Sequence, residues 1–423
     1  MSTLQIAGGR VLFPDMTVRE ADVLADREHG RILETGDTAG GDETLDADGC
    51  LVVPGLVNAH CHAAMTLLRG YADDKPLDAW LREDIWPAEA ELTPDDIEAG
   101  AELGALEMIR SGTTAFADMY FAMDRVAAVV DRAGLRARLG HGVVTVGKDD
   151  ADAQSDVAES LAVARELDGA ADGRIRTAFM PHSLTTVGEE YLREGVAEAR
   201  EAGVPIHLHA NETTDEVEPI VDERGERPIA YAEALDALGP DDFFAHGVHV
   251  DETEIDRLAA AGTAVVHCPA SNMKLASGMA PVQRLREAGV TVALGTDGAA
   301  SNNDLDVFDE MRDAAMPGKL AADDASAVPA GAAVEMATAG GADALELPGG
   351  RIEAGAAADI AVVDLDAPHL TPVHDPVSRL AYAARGSDVR HTVCDGRVLM
   401  RDREVLTLDA ESGQARDASA ASG

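Results

Sequence analysis

Lysine is almost missing from this chain: Lys75, Lys148, Lys274 and Lys319 are all that 423 residues contain. Basic side chains of both kinds number 34 against 78 acidic ones, a formal net charge of −44. The acids run along the whole length instead of gathering in a tail. Phosphate would be repelled over most of such a surface, which excludes nucleic acid as a partner. A solvated acidic surface suits a salt-saturated, halophilic cytoplasm, where screening removes much of the self-repulsion. Cysteine is equally sparse. Cys50, Cys61, Cys268 and Cys394 are far apart and form no C-x-x-C. That spacing excludes a disulfide framework, and it excludes the zinc deaminase design built on H-x-E and P-C-x-x-C. The chain opens without a charged leader and long apolar stretch, and no segment approaches the roughly 18 apolar residues of a membrane span. The expectation is a cytoplasmic protein with no membrane partner.

What is present begins with His60-Cys61-His62, at the end of the apolar run Leu51-Val52-Val53-Pro54-Gly55-Leu56-Val57-Asn58-Ala59. Side chains two apart on a strand share a face, so His60 and His62 converge while Cys61 points away. Two imidazoles on one side of a rigid strand are half of a catalytic zinc site. Alone, the tripeptide is equally a pair of histidines in a polar turn, and the rest of the chain has to decide.

Strand-like runs at 51–58, 113–118, 137–144, 175–180, 205–209, 243–246, 264–268 and 291–295 alternate with helical, Ala- and Glu-rich stretches at 99–110, 155–167, 189–202, 252–261 and 281–288. Gly203, Gly262 and Gly289 follow three of these helices, where a left-handed cap is expected. The alternation gives eight strands, the number in a (β/α)8 TIM-type barrel, with a doubly wound open sheet as the rival. The two ends resemble each other: Gly9-Arg10-Val11-Leu12 is echoed by Gly396-Arg397-Val398-Leu399. Short strands are expected at 18–24, 31–34 and 358–364. The expected organisation is a small β-sandwich built from both termini, 1–55 and 350–410, around a barrel at 56–349, with 411–423 as a flexible tail.

In a barrel, catalytic residues collect where strands end. The first strand supplies His60 and His62, the fourth His182, the fifth His207 and His209, the sixth His246 and the eighth Asp297. His207 and His209 share a face, and His209, nearer the strand end, is the expected ligand; His207 is read as a hydrogen-bonded interior histidine. Asp297 precedes Gly298-Ala299-Ala300 and so competes as a helix cap, but its place after an apolar strand favours a metal. His60, His62, His209 and Asp297 would hold one Zn²⁺ with a position left for water, whose pKa the ion lowers toward ~7. No lysine ends the fourth strand to bridge a second ion. Glu212 lies close enough to move protons between water and substrate, His246 to orient or deprotonate the water, and His182 to hold substrate. The segment 80–89 carries both tryptophans, Trp80 and Trp86, and could cover the mouth, with helix packing as the alternative for Trp86. His249 and His267 are expected to be structural, His141 is open, and His29, His369, His374 and His391 fall in the terminal β region.

The stretches Pro54 to His62, His209-x-x-Glu212, Ala245-His246-Gly247 and Gly295-Thr296-Asp297-Gly298 resemble the amidohydrolase superfamily. Within it, Ala63 to Gly70, Trp80 to Glu89, Pro181-His182-Ser183 and Asp297 to Asn303 resemble the methylthioadenosine/S-adenosylhomocysteine deaminases. The resemblance covers essentially the whole chain. It implies zinc-dependent hydrolytic deamination of 5′-substituted adenosines (5′-methylthioadenosine, S-adenosylhomocysteine, adenosine or 5′-deoxyadenosine) to the inosine derivative and ammonia. It implies Glu89 on ribose hydroxyls, Trp80 on the nucleoside, and His182, Glu212 and Asp297 in contact with substrate. Catalysis would fall to Glu212, His246 and Asp297, and a homo-oligomer is compatible with it. Two departures stand out. Cys61 replaces the usual Thr, and residues 143–150 offer no arginine for a homocysteine carboxylate, which favours methylthioadenosine or another 5′-substituted adenosine. The rivals are another aminohydrolase of this type (guanine, cytosine or s-triazine) and a metal-free scaffold of the same fold.

Overall fold

The computed structural model describes residues 2–409; the tail expected at 411–423 lies outside the described residues. Eight strands run parallel around one axis. They are β1 (Leu56–His62), β2 (Thr113–Tyr120), β3 (Arg136–Val143), β4 (Ile175–Thr177, resumed by Met180–Pro181), β5 (His207–Ala210), β6 (Phe243–His246), β7 (Ala264–His267) and β8 (Val292–Leu294, resumed by Asp297–Gly298). Ladders join each strand to the next. Bridges Phe179 to Ile206 and Ser183 to His209 span β4 and β5. Asp297 opposite Cys61 and Gly298 opposite His62 close the ring between β8 and β1. A closed ring is a barrel, and the open doubly wound sheet is excluded.

The strands are buried on both faces, as a parallel sheet under helices requires. Their apolar side chains, such as Val57, Phe116, Leu139, Phe179, Phe243 and Val266, are almost wholly covered. The helix Pro94–Arg110 starts at a capping box in which Thr93 and Asp96 satisfy each other's backbone amides. The expected glycine caps follow their helices: Gly203, Gly262 and Gly289 all have positive φ.

Both termini build a second β unit. A four-stranded sheet holds Arg31–Gly36, Asp22–Asp26, Thr3–Ala7 and Glu43–Asp46. A seven-stranded sheet pairs Cys50–Pro54 from the front of the chain with Ile360–Asp364 from the back. Leu4, Ile6 and Val23 of one sheet share a core with Val52, Ile360 and Val362 of the other, so the two form a sandwich.

Two expectations needed correction. The single strand read at 51–58 is two: Cys50–Pro54 belongs to the sandwich and Leu56–His62 to the barrel. Gly55 marks the break. Its amide donates to Asp359 O, and a Cβ there would fall 2.1 Å from Thr114 Oγ1. The strand read at 18–24 likewise divides at Ala21, whose amide donates to Gly9 O, into Val18–Glu20 and Asp22–Asp26 in different sheets.

Candidate metal centre

The strand ends converge on one pocket. It is lined by His62, His182, His209, Glu212, His246 and Asp297 on its polar side, and by Trp80, Trp86, Phe121 and Val144 among its apolar residues, with Glu89 and Tyr120 between. At its base, one ligand atom from each of His60, His62, His209 and Asp297 lies within 4.8 Å of all the others. That spacing lets one ion reach all four.

The hydrogen bonds around these rings decide which nitrogen carries a proton. His62 Nδ1 is 2.6 Å from Met119 O, and His209 Nδ1 is 2.6 Å from His182 O. A carbonyl only accepts, so both Nδ1 atoms are protonated, which leaves Nε2 of each ring as the atom a metal would bind. His60 Nε2 is fully buried without a hydrogen-bond partner. His62 Nε2 lies 3.1 Å and His60 Nε2 3.5 Å from Asp297 Oδ1. Burial works against charge on His62, yet the Asp297 carboxylate outweighs it and raises the imidazole to about 9. Positive charge is therefore drawn to the space between these groups. Three imidazole Nε2 atoms and a carboxylate around such a space fit a divalent metal, which would bind where an Nε2 proton otherwise sits.

Asp297 itself is clamped. Ser271 Oγ and Ser301 Oγ donate to its Oδ2 at 2.6 and 2.8 Å, which turns Oδ1 toward the imidazoles. Asn211, His246 and Asp297 all adopt left-handed backbone with φ of 54°, 75° and 61°. For a residue with a Cβ each such conformation costs about 1–2 kcal/mol, and it aims the side chain where a regular strand would not. Gly295 allows the close approach of β8 to β1, because a Cβ there would stand 2.8 Å from His60 O.

Around the ligand cluster, Glu212 Oε2 is 3.7 Å from His246 Nε2, and His246 Nδ1 donates to Asn272 Oδ1 at 2.9 Å. Burial pushes the Glu212 carboxyl up from its ordinary range, against the pull of His246. Burial lowers His182 to about 3, so its ring is neutral at any physiological pH.

One wall is the helical segment from Leu77 to Glu89, which contains a π turn at Leu81–Ile85. Such turns re-aim side chains and recur at functional sites. Here Leu77, Trp80, Leu81, Trp86 and Glu89 all face the pocket, so Trp86 lines it as well as packing the helix. Trp80 Nε1 donates to Ala72 O, leaving its ring to the cavity. Glu89 Oε1 and the Tyr120 hydroxyl are buried without hydrogen-bond partners. Burial raises Glu89, and burial followed by the Glu89 carboxyl raises Tyr120 well above its usual range.

Eight of the nine residues named from sequence as ligands, catalytic groups or substrate contacts line this pocket, and the ninth, His60, belongs to the ligand cluster beneath it. Sequence reasoning missed Tyr120, Phe121, Ser271 and Ser301. Tyr120 has a signal in the sequence, because it follows Asp118 by two and β2 runs on to Tyr120, past the expected end at 118. The remaining histidines sort by their partners. His249 Nε2 reaches Ser277 O, His141 Nε2 reaches Asp156, and His391 Nε2 reaches Asp46 O, all away from the ligand cluster. Cys61 is buried in the apolar core, turned from the ligands as expected.

The sequence model of the amidohydrolase family matches residues 51–399. The 5-methylthioadenosine/S-adenosylhomocysteine deaminase of Halobacterium salinarum is 73% identical over 96% of this chain and 94% of its own length. The 5′-deoxyadenosine deaminase of Methanothermobacter thermautotrophicus is 47% identical over 93% of this chain and 92% of its own. Among solved structures, a Xanthomonas campestris adenosine deaminase with bound zinc superposes with a TM-score of 0.92 at 37% identity, covering 98% of this chain and 97% of that one. A closed barrel with histidines and aspartate at its strand ends, joined to a sandwich made from both termini, agrees with these likenesses, and the chain belongs to the amidohydrolase family.

Proposed function

We propose that this protein is a hydrolase of cyclic amidine C–N bonds that converts 5′-substituted adenosines and water to the inosine derivative and ammonia. One observation carries the reading: a single pocket joins the ligand cluster to a wall bearing an aromatic ring, Trp80, and a buried carboxyl, Glu89, whose Oε1 has no hydrogen-bond partner. The relatives named for methylthioadenosine, S-adenosylhomocysteine and 5′-deoxyadenosine support it.

His60, His62, His209 and Asp297 would hold one zinc ion per subunit, and that ion would make water acidic enough to act as a nucleophile near neutral pH. The chain's residues do the rest. Glu212, whose carboxyl burial pushes up from its ordinary range, gives its proton to N1 of the purine as water oxygen bonds to C6. His246, with its Nδ1 proton held by Asn272, offers Nε2 to take a proton from that water. Asp297, held by its two serines, is the second acceptor. A proton is then returned to the amino group, the C6–N bond breaks, and ammonia leaves. Glu89 accepts from the ribose hydroxyls, and Trp80 packs on the nucleoside.

Among the described residues, no lysine or arginine lines the pocket that the 5′ group meets. Arg136 and Arg138 point the other way: Arg136 pairs with Asp359, and Arg138 donates to Leu345 O and Thr177 O. A methylthio or unsubstituted 5′ carbon suits that lining better than a homocysteine carboxylate. The test is ultraviolet-monitored turnover of methylthioadenosine, 5′-deoxyadenosine, adenosine, S-adenosylhomocysteine, guanine and cytosine by zinc-loaded protein. The first two are expected to react fastest. Turnover of free bases alone would overturn the nucleoside assignment, and equal turnover of S-adenosylhomocysteine would overturn the 5′ preference.

A further inference from the structure

The three imidazoles of the ligand cluster are not held alike. His62 and His209 each donate from Nδ1 to a main-chain carbonyl, Met119 O and His182 O. His60 has no carbonyl. Its Nδ1 lies 2.8 Å from the Nε2 of His207, a fully buried ring two positions before His209. The other nitrogen of that ring, His207 Nδ1, lies 2.7 Å from Phe243 O on the neighbouring strand.

The chain of contacts has one consistent protonation for a metal-binding His60. Phe243 O can only accept, so the proton of that bond sits on His207 Nδ1. If His207 is otherwise unprotonated, its Nε2 is a lone pair and accepts the Nδ1 proton of His60. His60 then carries no proton on Nε2, the atom that faces Asp297 and has no hydrogen-bond partner. If His207 instead carried protons on both nitrogens, His60 would have to accept at Nδ1. A neutral His60 would then bear its proton on Nε2, where a metal must bind. Stacking on Phe243, with ring centroids 4.2 Å apart, fixes the plane of the relay.

We propose that His207 is a positioning residue for the metal centre, fixing the tautomer and orientation of His60 through a histidine-to-histidine hydrogen bond. The proposal rests on the metal-centre reading above and is independent of which nucleoside is deaminated. His60 is the one imidazole of the three whose Nδ1 partner is a side chain, and so the one whose support substitution can remove.

Zinc affinity, read by competition with a chromophoric chelator, tests this on His207→Leu, His207→Gln and His207→Asn. The thermal midpoint of each metal-stripped protein is recorded beside it. Losing an outer partner of a ligating histidine lowers metal affinity about 10- to 100-fold, and that fall is expected for the Leu variant. Gln places an amide oxygen near the position of Nε2, so it can accept the His60 proton and is expected to recover most of the affinity. The shorter Asn can reach Phe243 O but not His60, and is expected to behave as Leu does. The Gln and Asn pair keeps the test decisive if the Leu variant fails to fold. A merely structural role would lower the metal-free midpoints without ranking Gln above Asn in affinity. Leu or Asn variants with wild-type affinity, or a Gln variant no better than Asn, would overturn the proposal. Wild-type protein that binds no zinc would instead overturn the metal centre itself.

Discussion

The barrel carries buried polar groups around both ends of strand β3, and the two ends behave in opposite ways. At its start, Arg136 is almost wholly buried and bidentate to Asp359, with a further bond to Asp395 at 2.7 Å. Arg138 beside it gives its protons to Leu345 O and Thr177 O. The Arg136 bonds tie the barrel floor to the sandwich. At the mouth, where β3 ends, buried polar atoms are left over: His60 Nε2, His246 Nε2, Glu89 Oε1 and the Tyr120 hydroxyl have no hydrogen-bond partner. An unpaired buried polar group costs about 1–3 kcal/mol. Around Arg136 and Arg138 the floor avoids that cost with matched partners, whereas the mouth carries it, along with left-handed backbone at Asn211, His246 and Asp297. Matched groups hold a fold together, and unmatched ones await a ligand.

If that division is right, substitutions at the two ends have separable effects. The largest is expected at the mouth. Glu212→Gln keeps the shape of the side chain but removes the proton that a purine nitrogen must receive. Its kcat should fall about a hundred- to ten-thousand-fold, with bound zinc and thermal midpoint close to wild type. A variant that lost zinc in parallel with activity would place Glu212 among the structural groups and break the comparison.

The floor should show the reverse. Asp359→Ala leaves Arg136 charged, buried and partly unpaired, and should cost about 3–5 kcal/mol in chemical denaturation. Turnover per folded molecule should hold, because no atom of this pair lines the pocket. Replacing both partners, as Arg136→Met with Asp359→Leu, should recover much of the loss. A floor variant that stayed stable and lost activity would show the two ends to be coupled along β3.

The same division explains what could be read in the chain and what could not. The barrel strands were legible as apolar runs ended by glycine or a polar group, and the ligands were legible because strand ends are where a barrel keeps its chemistry. His182, His209, His246 and Asp297 all follow such runs. The boundary at 55 was legible as a change of domain, but not as a break in the strand. Residues 51–57 are apolar throughout, and what divides them is pairing with Asp359 O and Gly112 O, both remote in sequence. Ser271 was invisible for a similar reason: it leaves β7 on a short helix and meets Asp297 across 26 positions. Local patterns give elements and their ends, whereas the groups that orient a ligand come from wherever the fold brings a donor.

The smallest expected effect separates two kinds of unpartnered atom at the mouth, those facing the ion and the one facing the sugar. Glu89 stands on the π-turned helix wall, opposite the histidines, and its carboxyl accepts from the ribose hydroxyls in the reading above. Glu89→Gln removes the charge from those bonds, and a hydrogen bond to a charged group contributes about 1.5–3 kcal/mol. KM for methylthioadenosine should therefore rise about 10- to 100-fold, with kcat much less affected. The sharper comparison uses a substrate that lacks the two ribose hydroxyls. If Glu89 reads those hydroxyls, wild type and variant should handle that analogue alike, because the group Glu89 would bind is absent from both reactions. If the variant is equally impaired with the analogue, Glu89 supports the wall and not the sugar. Its unpaired oxygen would then belong with the matched groups of the floor, as a bond the fold completes some other way.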